Sequence, residues 1–307
     1  DRAADAGVDA VKFQTFRAAQ HYSRRSPGFS YLNGQDTYAL IESLELDRAW
    51  QAPLKEHAND RGVEFFSSPC DMDALSELDA LGVPMHKLAS FDLTDIGFIS
   101  ALARTGKPIV LSTGMANWMD IQLAVDAMSA ESNDQVILLQ CTSLYPAPAS
   151  LANLRAMQSM QAAFRTLVGY SDHTMGDHVA LASVAMGACF IEKHFTLDRS
   201  LPGPDHPFAM EPAELKAMVQ RIRDVEASLG DGRKAGPRPE EMEMAAKGRR
   251  SLHARDDIPA GEVIADDMLV VKRPGLGISP SLRSQVVGRK AARTIEHDEW
   301  ITWDSLT

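Results

Sequence analysis

Two histidines in the second half of the chain are well suited to bind a metal ion. His173 and His194 each follow a short β-rich run, and the two runs are consecutive along the chain. Neutral imidazoles bind divalent cations, so the pair predicts one metal site with open positions for substrate oxygens. Glu192 lies two residues before His194 and shares its face of the strand. The alternative is a pair of hydrogen-bonded structural histidines. Four further histidines are interpreted as ordinary surface residues: His21, His57, His178 and His297.

Lysines and hydroxyl side chains predict a binding site for an anion. Lys12, Lys87 and Lys193 occur within otherwise apolar runs. A lysine pointing into a protein interior must meet an anion or lose its charge. Together with the hydroxyls of Ser90 and Ser112, these lysines would bind a phosphate or a carboxylate. Alternatively, each lysine extends to the surface and pairs with a nearby acidic residue.

The cysteines indicate neither a disulfide framework nor a metal motif. Cys70, Cys141 and Cys189 are three in number, far apart and without metal-type spacing, which is typical of a reducing cytoplasm. Cys141 ends a β-rich run, but its own segment contains no histidine to act as a base. We therefore interpret it as a small core residue and not as a nucleophile.

Composition indicates a soluble globular protein. The 307 residues are 45% hydrophobic and 24% charged, and 31 basic against 42 acidic residues give a net charge of −11. This charge disfavours nucleic acid and anionic membranes as partners. No apolar run approaches the roughly 20 residues of a membrane span. The chain begins at Asp1 within a helix-like segment, so we expect that residues upstream are missing.

The elements that must position these side chains alternate between strand and helix. Polar residues end each of seven β-rich runs, and helical stretches separate most of the runs up to about residue 230. The runs are 9–15, 63–68, 85–90, 108–113, 135–141, 166–172 and 189–195. A closed (β/α)8 TIM barrel has eight strands and its active site at their C-terminal ends. We therefore predict an α/β TIM barrel that lacks its first strand. An open doubly wound sheet is the alternative, which the absence of a Gly-x-Gly-x-x-Gly loop disfavours.

A second, smaller domain follows the barrel. We predict a barrel over residues 1–230, a linker over 231–246 and a mostly β domain over 247–307. In the last region, residues 258–269 align without gaps on residues 295–306 in the frame I-x-x-x-E-x-I-x-x-D-x-L. The repeat predicts two similar β-units about a pseudo-twofold axis. Within the barrel, residues 17–45 are long for a connection and predict a mobile loop.

Several of these polar segments together form a set of recognisable motifs. In chain order they are KFQT (12–15), KLASFD (87–92), GKPIVLSTGM (106–115), CTSLYP (141–146), GYSDHT (169–174), IEKHFTLDR (191–199) and GPDH (203–206). They resemble the sialic acid synthase family, and KRPGLGISP (272–280) is similar to that family's C-terminal antifreeze-like (SAF) domain. The resemblance covers nearly the whole chain.

The resemblance implies an N-acetylneuraminate synthase, a transferase that condenses phosphoenolpyruvate with N-acetylmannosamine and releases phosphate. The alternative is a pseudaminic or legionaminic acid synthase acting on a 2,4-diacetamido-2,4,6-trideoxyhexose, and a more distant one is a non-catalytic carbohydrate-binding homologue. Ser143, where some N-acetylneuraminate synthases carry Asn, also suits the pseudaminic and legionaminic acid synthases, whereas GPDH suits the neuraminate branch.

The resemblance also implies roles for individual residues. The metal ligands would be His173 and His194, binding Mn²⁺ commonly and Mg²⁺ or Co²⁺ as alternatives. Phosphoenolpyruvate would contact Lys12, Lys87, Ser90, Ser112 and Ser171, and the sugar would contact Gln14, Tyr145, Glu192 and Asp205, with Glu192, Lys87 and Tyr145 as the catalytic residues. Arg273 would reach the partner's site in a homodimer whose SAF domains are exchanged. Because the family's first strand is absent, we expect the 307-residue chain to be inactive or unstable.

Overall fold

The chain divides into two compact units, Asp1–Asp231 and Gly232–Thr307. The computed structural model describes residues 1–28 and 36–307. The predicted loop at 17–45 lies partly outside these residues. Its described parts contain two short helices, α2 (Ala18–His21) and α3 (Thr37–Ser43).

The first unit contains a seven-stranded parallel sheet whose strands are neighbours in chain order. The strands are β1 (Ala10–Thr15), β2 (Glu64–Pro69), β3 (His86–Leu88), β4 (Ile109–Ser112), β5 (Val136–Cys141), β6 (Leu167–Asp172) and β7 (Ile191–Lys193). Each predicted β-rich run overlaps one of these strands. The predicted succession of parallel βα units is therefore confirmed.

Helices connect the strands and cover the sheet. Besides α2 and α3 they are α1 (Arg2–Ala6), α4 (Gln51–Asp60), α5 (Met72–Ala80), α6 (Ile96–Ala103), α7 (Trp118–Ala130), α8 (Arg155–Phe164), α9 (His178–Ala185) and α10 (Pro212–Leu229). Side-chain caps fix several helix starts: Asp71 accepts a hydrogen bond from the backbone of Ala74 at 2.6 Å, and Asn117 forms a capping box with Asp120. Within the described residues, no helix has the length and apolar character needed to cross a bilayer.

The core explains why the central strands are almost continuously apolar. Leu88, Ile109, Leu111 and Leu138 are fully buried within one cluster. Strands of a parallel sheet are covered on both faces, so they need apolar residues at successive positions. Polar residues are consequently concentrated at the strand ends, where the sheet meets solvent.

The second unit is a small β-rich domain that follows the sequence repeat. Its strands β8 (Ser251–Ala254) and β9 (Leu269–Lys272) are antiparallel, and it contains helices α11 (Met242–Gly248) and α12 (Arg283–Val286). All six apolar positions of the repeat are buried: Ile258, Ile264, Leu269, Ile295, Ile301 and Leu306. Ile258 and Ile295, equivalent in the repeat, exchange backbone hydrogen bonds of 2.8 and 2.9 Å. Matching residues therefore face one another, as a pseudo-twofold requires.

The segment predicted as a linker is partly ordered into this domain. Helix α11 occupies residues that were interpreted as connection, and the backbone of Gly275 donates to the carbonyl of Ala246 at 2.7 Å. The Gly- and Pro-rich composition of residues 230–239 indicated the end of the barrel, but it did not reveal the helix that follows.

Candidate active site

Two lysines and one glutamate meet inside the first unit. Lys12 on β1 forms an ion pair with Oε1 of Glu192 on β7, and Nζ of Lys87 on β3 lies 3.5 Å from Oε2 of Glu192. Strands β1 and β7 are at opposite ends of the strand order. Their side chains meet because the sheet curves around a common interior, as in a barrel.

Burial and charge oppose one another in this group. Burial lowers the pKa of Lys87, and the carboxylate of Glu192 opposes that effect. Burial alone would raise the pKa of Glu192, but the charges of Lys12 and Lys87 hold it well below its usual range. Two lysine amines thus share one ionised carboxylate, and a bound anion would further stabilise the protonated form of Lys87.

Hydroxyl groups with unused hydrogen-bonding capacity lie at the strand ends. The Oγ atoms of Ser68, Ser112 and Ser143 are buried without a hydrogen-bond partner among residues 1–28 and 36–307. Buried polar groups normally have partners, so these hydroxyls are available to a ligand. Ser112 was predicted as a binding residue. Ser68 is near the end of β2 and was not singled out from the sequence, and Ser143 was noted only as a departure from the family pattern.

Gly114 brings backbone and serine side chains together. Its N–H donates to Oγ of Ser90 at 2.9 Å. A Cβ at this position would lie 2.3 Å from Oγ of Ser143 and 2.8 Å from Oγ of Ser90, closer than real Cβ atoms approach. Gly114, in the segment STGM, therefore leaves room for a cradle formed by its own N–H and the hydroxyls of Ser90 and Ser143. The sequence contains this motif, but no local pattern in it predicts the role of Gly114.

The two predicted metal ligands lie side by side. The ring centres of His173 and His194 are 5.3 Å apart. Two imidazoles on neighbouring positions of one ion, each bound at about 2.1 Å, place their ring centres roughly 4.5–5.2 Å apart. The observed separation is close to that range.

The hydrogen bonds of these rings also suit a cation. Nδ1 of His173 donates to the carbonyl of Thr142 at 2.8 Å, which leaves Nε2 with its lone pair, and burial lowers the pKa of His173 to about 4. Nδ1 of His194 lies 3.3 Å from Oδ2 of Asp205. Burial would raise the pKa of Asp205, but the hydrogen bond from His194 holds it below its usual value. The two imidazoles form a donor pair that fits a divalent transition metal, with Asp205 as the hydrogen-bond partner of His194.

Aromatic rings cover the imidazoles. The ring of Tyr145 is centred 4.3 Å from that of His173 and 6.0 Å from that of His194. Phe208, which sequence reasoning missed, lies 5.1 Å from His194. Phe208 follows GPDH by two positions, so its proximity to that motif was a weak signal. These contacts place Tyr145 beside the predicted metal ligands.

Lys193 is not part of the anion-binding group, which corrects the prediction made from its position in a strand. Its Nζ pairs with Oδ2 of Asp172 at 2.8 Å, and both side chains are buried. Successive residues of a strand point to opposite faces. Because Glu192 points to the interior with Lys12 and Lys87, Lys193 points away from them.

The remaining predicted residues occupy separate positions. Ser171 is buried near the end of β6, and Gln14 is exposed near the end of β1. Arg273 belongs to the second unit, where its Nε donates to the carbonyl of Gly248 at 2.6 Å. Cys141 is buried 3.8 Å from Nδ1 of His173, and burial raises its pKa, which disfavours a thiolate nucleophile. The ligand contacts assigned to Gln14, Ser171 and Arg273 stay predictions.

Comparison with known proteins assigns both parts of the chain. Residues 1–234 match the NeuB family, and residues 249–307 match the SAF domain. The N,N'-diacetyllegionaminic acid synthase of Campylobacter jejuni is 39% identical over 97% of this chain and 91% of its own length. The protein of the same name from Legionella pneumophila is 38% identical over 99% and 88%.

A solved structure supports the same assignment. The N-acetylneuraminic acid synthetase of Leptospira borgpetersenii, in complex with citrate, superposes with a TM-score of 0.71 at 33% identity, covering 79% of this chain and 81% of that chain. These matches confirm the TIM-barrel and SAF architecture and the resemblance carried by the motifs. The chain therefore belongs to the NeuB family of sialic acid synthases, with a SAF domain at its C-terminal end.

Proposed function

We propose that this enzyme condenses phosphoenolpyruvate with a 2,4-diacetamido-2,4,6-trideoxyhexose to form N,N'-diacetyllegionaminic acid and phosphate. The choice of acceptor rests on the two relatives of that name, which are 39% and 38% identical over nearly the whole chain. The neuraminate-forming structural relative is 33% identical over a smaller part. The comparisons thus favour the legionaminic acid alternative over N-acetylneuraminate, the first reading of the motifs.

The observation that carries the reaction class is the group of two lysines around one glutamate. Phosphoenolpyruvate has a phosphate and a carboxylate, and Lys12 and Lys87 would offset these charges. The unpartnered hydroxyls of Ser112 and Ser143 and the cradle at Gly114 would donate to its oxygens. An anion held in this way is oriented for attack, which lowers the entropic part of the barrier.

The reaction forms one carbon–carbon bond. C3 of the enol phosphate attacks the aldehyde carbon of the open-chain sugar, water adds at C2, and the C2–O bond to phosphate breaks. Glu192 stays ionised between its lysines and holds their ammonium groups towards the departing phosphate. Tyr145, whose ring is tilted against that of His173, would border the sugar site and exclude water.

A divalent ion fits at His173 and His194, and we propose Mn²⁺. Bound there with Asp205 nearby, it would supply Lewis-acid polarisation of the acceptor aldehyde. The residues themselves contribute a neutral His173, oriented by the carbonyl of Thr142, and a His194 oriented by Asp205.

The acceptor is tested by measuring phosphate release and product mass with a panel of sugars. Protein from the complete reading frame is incubated with phosphoenolpyruvate, Mn²⁺ and one sugar at a time. We expect the highest kcat/KM with 2,4-diacetamido-2,4,6-trideoxymannose and a product of the matching mass. Equal or faster turnover of N-acetylmannosamine would assign the enzyme to the neuraminate branch. Binding of the sugars without phosphate release would favour a non-catalytic carbohydrate-binding protein.

We further propose that the enzyme works in the cytoplasm as a homodimer in which Arg273 completes the partner's site. The three free cysteines suit a reducing compartment. Mixing inactive Lys87→Ala protein with inactive Arg273→Ala protein tests the shared site. If subunits exchange at random, about a quarter of all sites regain both residues, so about a quarter of the activity should return. No recovery after verified subunit exchange would place Arg273 in its own subunit's site.

A further inference from the structure

A cavity at the ends of β1, β2 and β3 brings three potential metal ligands together. It has a volume of about 490 Å³, and His21, Cys70 and Asp92 are among its lining residues. One ligand atom from each of these side chains lies within 4.8 Å of the other two. Over residues 1–28 and 36–307, this is the one group of three or more His, Cys, Asp or Glu side chains with such a spacing.

The three residues come from separate segments. His21 ends α2, Cys70 directly follows β2, and Asp92 ends the 3-10 turn Ser90–Asp92 after β3. These segments follow consecutive strands of the parallel sheet. His21 was interpreted from the sequence as an ordinary surface residue, and the structure corrects that interpretation.

The distances are near those of a coordinated ion. Nε2 of His21 lies 3.9 Å from Oδ1 of Asp92. Ligands bound at about 2.0–2.3 Å on neighbouring tetrahedral positions are roughly 3.3–3.8 Å apart. Small side-chain rotations would therefore bring the three atoms onto one ion. The side chains of His21 and Asp92 are about one fifth exposed, at 21% and 17%, so a fourth position would face solvent.

Carboxylates near the cavity oppose ionisation of the Cys70 thiol, and the charges of Lys12 and Lys87 act in the opposite direction. Burial raises the pKa of Asp92, and the nearby His21 opposes this effect. Burial, together with the carboxylates of Asp92 and Asp71, raises the pKa of Cys70 to about 12. Neighbouring carboxylates thus oppose ionisation of both groups, Asp95 that of Asp92, and Asp92 with Asp71 that of Cys70. A bound divalent cation relieves that repulsion as it displaces the thiol proton to solvent.

We propose that His21, Cys70 and Asp92 form a second metal site, for a borderline-soft divalent ion such as Zn²⁺ or Co²⁺. The site shares no ligand with the His173 and His194 pair, and it goes beyond the proposed synthase function. Nitrogen, thiolate and carboxylate ligands together suit Zn²⁺ or Co²⁺ better than Mg²⁺, which prefers oxygen. A bound ion would join the segment after β1 to the ends of β2 and β3.

Cobalt titration of the metal-free protein tests this site. Thiolate ligation of Co²⁺ produces a sulfur-to-cobalt charge-transfer band in the near ultraviolet, which histidine and carboxylate ligands do not. We expect the band in the unmodified protein and also in the His173→Ala, His194→Ala double variant. Cys70→Ser should abolish the band. Cys189→Ser, which changes an exposed cysteine, is the matched control and should retain it.

Several outcomes would overturn the second site. They are no band in the unmodified protein, a band that survives Cys70→Ser, and a band that disappears when only His173 and His194 are replaced. His21→Gln provides a second variant, which leaves Cys70 in place. Its Co²⁺ titration should show weaker binding, with the band still formed at high Co²⁺. The experiment uses no substrate, so failure of the proposed condensation leaves its result unaffected.

Discussion

Gly114 shows how a single residue shapes the candidate anion site. The close approach of Ser90 and Ser143 to its Cα leaves no room for a side chain. The same backbone N–H donates to Ser90, so the turn and the hydroxyls form one unit. We infer that the glycine is required for the position of these donors, because its φ is not among the positive values that would otherwise demand glycine.

Replacing Gly114 with alanine should weaken binding of phosphoenolpyruvate. The added methyl would displace the hydroxyls of Ser90 and Ser143, each worth about 0.5–1.5 kcal/mol as a hydrogen bond. We expect KM for phosphoenolpyruvate to rise about tenfold in a phosphate-release assay. Gly97→Ala is the control, since its Cβ would lie at an ordinary 3.5 Å from Asp95. An unchanged KM in Gly114→Ala would remove the cradle from the binding site.

At the scale of elements, a buried ion pair joins the ends of β6 and β7. Asp172 and Lys193 are register partners in the two strands, and each immediately precedes one of the paired histidines. Nζ of Lys193 also donates to the carbonyl of Thr174, just beyond His173. The pair therefore fixes the spacing of the two segments that carry His173 and His194.

Breaking this pair should destabilise the barrel. Lys193→Met leaves the carboxylate of Asp172 buried without its partner, which costs about 3–5 kcal/mol in comparable buried pairs. The double variant Asp172→Asn, Lys193→Met should recover part of that loss, because no charge is then left unpaired. Urea unfolding of the two single variants and the double variant measures the coupling.

A matched surface variant calibrates the effect. Lys247→Met breaks an exposed pair with Glu243, with both side chains 73% exposed, and should change the free energy of unfolding by less than about 0.5 kcal/mol. Equal effects of Lys193→Met and Lys247→Met would show that the buried pair does not hold the strand ends together.

For the molecule as a whole, buried neutral histidines should set its sensitivity to acid. Burial, together with the charge of Lys107, lowers the pKa of His86 to about 4, and burial does the same for His173. Both imidazoles have a pKa near 6.5 in an unfolded chain. Between these values the unfolded state binds more protons than the native state, so stability falls as the pH falls from 6.5 to 4.

The expected loss is measurable for His86. Between pH 7 and pH 5 it should cost about 2 kcal/mol of unfolding free energy. His86→Met removes this titrating group, so the difference in unfolding free energy between the two pH values should shrink by about that amount, whatever the variant's stability at pH 7. Urea unfolding at both pH values tests it. If the difference in unfolding free energy between the two pH values were as large in His86→Met as in the unmodified protein, His86 would be protonated in the native state.

Local patterns were sufficient for the strands and the repeat, and they predicted candidate site residues at the strand ends. Apolar runs identify buried parallel strands because the pattern of apolar side chains along a strand is visible in neighbouring residues of the sequence. Since parallel strands end at one edge of the sheet, the same runs predicted that Lys12, Lys87, His173 and His194 share a face of the barrel. The repeated isoleucines of the second unit likewise required only their own spacing to be recognised as core.

Those local patterns could not predict the contacts between distant segments. The pairing of Lys12 with Glu192 depends on the curvature that brings β1 towards β7, and no local spacing encodes curvature. The meeting of His21, Cys70 and Asp92 depends on the turns after three different strands. The positions of the strands and of their polar ends thus follow from local sequence. The charge pairs and the convergence of possible ligands depend on the tertiary structure, because they form only when the strands close around a shared interior.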